Sequence, residues 1–151
     1  MKNVVGSCTH VMVRKACLEE VGLFDERLPA RQDIDLWIRL AKKYEFDFIP
    51  EVLSIRYLNN DRISTDSARR VQAYEMLLEK YRSDIERNKK ILAHYLYQIG
   101  RLYLDLGNSR EARKHFWRAF RVYPFAIKYF LAFVIGSEYV KLKVKLKGVR
   151  P

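Results

Sequence analysis

The sequence predicts an α/β region of short strands and helices over residues 1–66, followed by an all-α region carrying one helical hairpin. Three observations point there. Before residue 60, short apolar runs that alternate in strand fashion are interleaved with two helical patterns. From Ser67 onward the apolar spacing is helical. Residues 93–126 then place glycine and small residues where two antiparallel helices must approach each other.

Taken in order, "HVMV" (10–13) reads as a short strand and "RKACLEEVG" (14–22) as a short helix, with Leu18 and Val21 on one face and Gly22 as its stop. The loop "LFDERLPARQ" follows. Ile34, Trp37, Ile38 and Ala41 fall at i, i+3, i+4 and i+7, so a helix is expected from Asp33 to Tyr44. "FDFI" (46–49) and "VLSIRYL" (52–58) alternate as strands, punctuated by Pro50. "NNDRISTDS" (59–67) is a polar loop. Val71, Tyr74, Leu78, Tyr81 and Ile85 keep helical spacing over about five turns.

Residues 93–126 have the register of one tetratricopeptide-like unit: Leu96, Ile99, Gly100, Tyr103, Gly107, Ala112, Phe116, Ala119 and Pro124. Gly100 and Ala119 allow close approach, Tyr103 and Phe116 fill the interface, Gly107 makes the turn, and Pro124 ends the second helix. One such unit cannot bury its own apolar face. It must lean on the helix of 67–87 and on a last helix at about 125–140. The chain thus divides into 1–66, a helical extension over 67–140, and a basic tail over 141–151.

Composition narrows the function. At 49% hydrophobic and 31% charged residues the chain is globular. Cys8 and Cys17 form neither a disulfide framework nor a zinc spacing, and they read as small buried residues of a reducing compartment. A net charge of +11 favours an anionic partner. Lys141, Lys143, Lys145, Lys147 and Arg150 crowd the end with no acid among them. No nucleic-acid-binding motif appears and the aromatics keep core spacing, so no specific nucleic-acid partner is expected. The start lacks a secretory signal, and "YFLAFVIG" (129–136) falls short of the roughly 20 residues a membrane span needs. The expected location is the cytoplasm, with a peripheral contact of the chain's end at the anionic inner face of the membrane.

Two carboxylates, Asp33 and Asp35, stand at the mouth of the 33–44 helix. Asp33 reads as its N-cap, since acidic groups favour the positive end of the helix dipole. A second reading comes from a wider pattern. Arg14, Val21-Gly22, Phe24-Asp25-Glu26, Asp33-x-Asp35-Leu36 with Trp37, and Pro50-Glu51 occur in the order of the second half of the catalytic domain of family 2 glycosyltransferases, which residues 4–66 resemble. The resemblance implies a GT-A fold and inverting transfer from a nucleotide-sugar to a saccharide or lipid-linked acceptor, in polysaccharide biosynthesis. Asp33 would be the general base that takes the acceptor proton. Asp35, Gln32, Asp25, Glu26, Trp37 and His10 would support the acceptor site, with Asp35 receiving Arg14 or Arg39. Asn60 stands near the family's metal-binding His, and Asn is the poorer manganese ligand.

The same resemblance implies a divalent metal (Mn2+ or Mg2+) in a complete enzyme and a donor-binding half preceding this one. By itself the chain would bind neither metal nor donor. It would self-associate or pair with a separate N-terminal half. The alternative is a non-enzymatic, tetratricopeptide-like protein-interaction module, which accounts for residues 67–140 without the acidic pattern.

Overall fold

The computed structural model describes residues 5, 6, 8–53, 55 and 66–136. It divides into two compact units, Lys2–Thr65 and Asp66–Pro151.

In the first unit a 3-10 turn, Cys8–His10, precedes α1 (Lys15–Val21) and α2 (Gln32–Ala41). Gly22, at φ 82°, takes the chain out of α1 through a conformation other residues rarely adopt. The N-cap of α2 is Arg31, held left-handed at φ 62°. It is the one non-glycine with positive φ among the described residues, a conformation that costs roughly 1–2 kcal/mol. The core of this unit is the α2 stripe Leu36, Trp37 and Leu40. Val11 and Val13 pack on it from the preceding segment, and Cys17, Leu18 and Val21 from α1. The Trp37 indole N–H donates to the Gly6 carbonyl at 3.3 Å. At the far end, the Lys43 ammonium and the Tyr44 hydroxyl both donate to Glu20, tying the end of α2 to α1.

The second unit is a helical stack. α3 (Ser67–Lys80), α4 (Arg82–Glu86), α5 (Lys89–Asp105) and α6 (Ser109–Val122) are followed by α7 over 127–136. Caps start three of them. Asp66 accepts from the Ala68 and Arg69 amides, Asn88 from those of Lys90 and Ile91, and Asn108 from that of Glu111. α5 and α6 form a tight hairpin whose turn carries Gly107 at φ 77°. The helices meet where α5 has no side chain. A Cβ on Gly100 would lie 2.6 Å from Cε1 of Phe116 and 3.2 Å from the Ala112 carbonyl oxygen. α3 packs on the other side of α5, with Tyr74 edge-on to Tyr95 at 5.4 Å. α7 lays Tyr129 beside Tyr97, ring centroids 5.3 Å apart, and brings Gly136 against Phe116.

The α/β expectation for residues 1–66 is overturned. Among the described residues every regular element is helical and no strand occurs. A GT-A half would be built on a sheet. The alternation in "HVMV" has another cause: Val11 and Val13 face α2 while Met12 is 98% exposed, so an extended segment laid on a helix buries every second residue with no ladder. "FDFI" is irregular, with Phe46, Phe48 and Ile49 all exposed. Most of "VLSIRYL" lies outside the described residues, as do the tail from Ser137 onward and Asn60. The helix expected over 67–87 is interrupted at Tyr81, whose φ of −112° separates α3 from α4.

Candidate functional site

The acidic segment at α2 separates into two groups. Asp33, the second residue of α2, keeps a partly exposed carboxylate whose Oδ1 accepts the Ile34 amide at 2.8 Å. It therefore serves the open first turn, although the cap position belongs to Arg31 and not to Asp33. Gln32 turns back to donate to the Leu28 carbonyl at 2.8 Å. Asp33 and Gln32 line a shallow depression of about 530 Å³ with Glu26, Phe24 and Cys8.

The other candidates are not brought to that depression. Asp35 is wholly buried, at 0% exposure, and accepts the Arg39 Nε at 2.9 Å. Arg39 in turn donates at 2.6 Å to each of the Val21, Gly22 and Leu23 carbonyls. Of the two arginines the sequence offers to Asp35, the fold uses Arg39, one helical turn away. The result is a clamp fastening α2 to the C-terminal end of α1. Asp25 takes a two-pronged ion pair from Arg27, at 2.9 and 3.0 Å. Trp37 is a core residue, His10 sits exposed at the end of the 3-10 turn, and Cys8 is exposed and Cys17 half-buried where both were expected to be buried. Among the described residues no three His, Cys, Asp or Glu side chains group so as to hold a metal ion.

The second unit carries a feature of similar size that sequence reading missed. A groove of about 510 Å³ runs over α5; its partly exposed apolar lining is Leu78, Leu92 and Val122, with Leu96 and Ile99 buried beneath them. One wall, from α3 and α4, presents Glu75, Glu79 and Glu86, with Arg82 paired to Glu79. The opposite wall, from α6, presents His115, Arg118 and Arg121. The i, i+4 spacing of Glu75 and Glu79, and the spacing of His115, Arg118 and Arg121 by three, were the available signals. Only the fold shows that they face each other.

His115 stacks on Tyr103 with ring centroids 5.4 Å apart, and its buried Nδ1 has no hydrogen-bond partner among the described residues. Burial first, then the charges of Arg118 and Lys114, push its pKa below the ordinary value, with Glu111 opposing. A lowered folded value means that the neutral ring is the form the fold favours. The contribution is fully present above pH about 6.5 and is lost as pH falls through the folded value. Urea midpoints of the second unit at pH 7.5 and pH 5 will therefore differ less in His115→Gln than in the wild type.

No protein-family model, curated protein or solved structure matches the chain. With no strand among the described residues, this overturns the resemblance to family 2 glycosyltransferases and with it the polysaccharide-biosynthesis reading. The expected nucleotide-sugar, acceptor and metal rest on that resemblance alone. No helix of the described residues is long and apolar enough to cross a membrane.

Proposed function

We propose that this chain is a non-enzymatic, tetratricopeptide-like helical interaction module whose groove over α5 receives a segment of a partner protein. The observation that carries this reading is an apolar-lined groove with acids in the majority on one wall and Arg118 and Arg121 on the other. A hydrophobic groove with charged rims takes an amphipathic helix by its apolar face, and the rims set its direction. The complementary segment has apolar residues at i, i+3, i+4 and i+7. Its bases lie toward Glu75 and Glu86, and its acids toward Arg118 and Arg121. A single hairpin would offer only one wall, and here α3 and α4 supply the second. The acids of the first unit support the same reading, because Asp35 and Asp25 are spent on Arg39 and Arg27 and Asp33 serves a helix end.

Selection from a displayed library of random 16-residue peptides tests this. The recovered peptides should show the helical apolar spacing with opposite charges on its flanks. They should lose at least tenfold in affinity for Arg118→Glu/Arg121→Glu, a double reversal on an exposed wall. Recovery of no such peptides, or equal binding by the variant, would overturn the proposal.

A further inference from the structure

α7 is apolar on two faces, and the second is covered only at Phe130, which packs on Phe120 of α6 at 5.3 Å. Tyr129 and Gly136 are buried against α5 and α6. On the other side Ile127, Phe130, Leu131, Val134 and Ile135 fall at i, i+3, i+4, i+7 and i+8, each between 41 and 70% exposed. Phe125, just before the helix, is 87% exposed. Scattered exposed apolar residues are ordinary, but a continuous stripe over the length of a helix marks a surface with an occupant.

Charge identifies the occupant. From Ala112 to Pro151 the sequence holds ten Lys and Arg residues and one acid, Glu138, so most of the chain's excess of positive charge lies here. Part of it flanks the apolar surface in the fold. The Arg113 guanidinium lies 5.0 Å from the Phe133 ring centre, and the Lys128 ammonium 5.1 Å from that of Tyr129. Two copies meeting through this stripe would bring Arg113 and Lys128 of one toward those of the other, which opposes self-association. An apolar helix face flanked by the cations Arg113 and Lys128 matches the chemistry of an anionic lipid surface, with acyl chains below and phosphate or carboxylate headgroups above.

We propose that the outer face of α7 docks on an anionic membrane surface, its Ile127–Ile135 stripe entering the boundary between headgroups and acyl chains. The contact lies apart from the groove over α5 and does not depend on what that groove binds. Lipid contact is then both apolar and electrostatic, and each part has its own signature.

The test is co-sedimentation of the full chain with vesicles of phosphatidylcholine alone or with 30% phosphatidylserine, at 0.1 and 0.5 M salt. Binding should require phosphatidylserine and weaken with salt. Leu131→Gln/Val134→Gln, which changes no charge and touches only exposed positions, should lower the partition coefficient about tenfold or more. Should that variant misfold, Leu131→Trp in a Trp117→Phe background gives a second readout, because its emission should shift to the blue on phosphatidylserine vesicles. Equal binding by the glutamine variant, an unshifted tryptophan, or no binding to 30% phosphatidylserine at 0.1 M salt would overturn the proposal. So would a wild-type dimer that Leu131→Gln/Val134→Gln dissociates without any effect on lipid.

Discussion

Phe116→Ala should lower the stability of the helical unit by about 3–5 kcal/mol, read from the urea midpoint. The ring is fully buried and is held between two glycines, Gly100 of α5 and Gly136 of α7, so its removal empties the junction of three helices. The same junction decides the sign of a substitution that helix propensity alone would get wrong. Alanine at Gly100 gains about 1 kcal/mol as a better helix former. Its Cβ, however, would stand 2.6 Å from a ring that cannot swing away and 3.2 Å from a backbone carbonyl. Overpacking of that kind costs about 1–3 kcal/mol and wins. Gly100→Ala should therefore destabilise, and Phe116→Leu should reduce its effect. The pair will be non-additive because the two residues touch. Strict additivity would mean that the close approach of α5 and α6 is not at Gly100.

The second large effect belongs to Asp35→Asn. The substitution keeps shape and removes charge, leaving the Arg39 guanidinium without its buried counter-ion. Breaking a buried ion pair from one side costs roughly 3–5 kcal/mol. The lower end applies here, because the Arg39 side chain is 20% exposed and water can screen part of its charge. Arg39→Lys should be nearly as damaging, since one ammonium cannot reproduce a fork that meets three successive carbonyls. Emission of Trp37 in a Trp117→Phe background follows this unit alone. Asp33→Asn is the control and should shift the midpoint by no more than about 0.5 kcal/mol, as surface substitutions do. If Asp35→Asn unfolds no more easily than Asp33→Asn, the clamp is not what joins α2 to α1.

The helical half was legible where local rules decide. Gly107 between two apolar stripes placed the α5–α6 turn, and Gly100 marked the close approach, although the residue it meets there is Phe116 and not Ala119. Three things were not legible. Alternation at 10–13 is the signature of one-sided burial, which a sheet and a helix-packed extended segment share. Met12 against Val11 and Val13 shows the second case. The roles of the two aspartates depend on where α2 begins. With Arg31 in the left-handed region and α2 starting at Gln32, Asp35 turns inward and Asp33 outward. The groove walls come from α3, α4 and α6, about forty residues apart in sequence, so their opposition is a property of tertiary packing and of no local pattern.

The central claim is that the working surface of this chain is the groove over α5 and not the acidic depression at α2. Backbone and methyl chemical-shift mapping tests it most directly, using the isotope-labelled full chain titrated with a peptide recovered by display. Shifts should concentrate at Leu92, Leu96, Ile99, Arg118 and Arg121, with Phe24, Glu26, Gln32 and Asp33 unmoved. Shifts centred on Asp33 and its neighbours, with the groove residues silent, would contradict it.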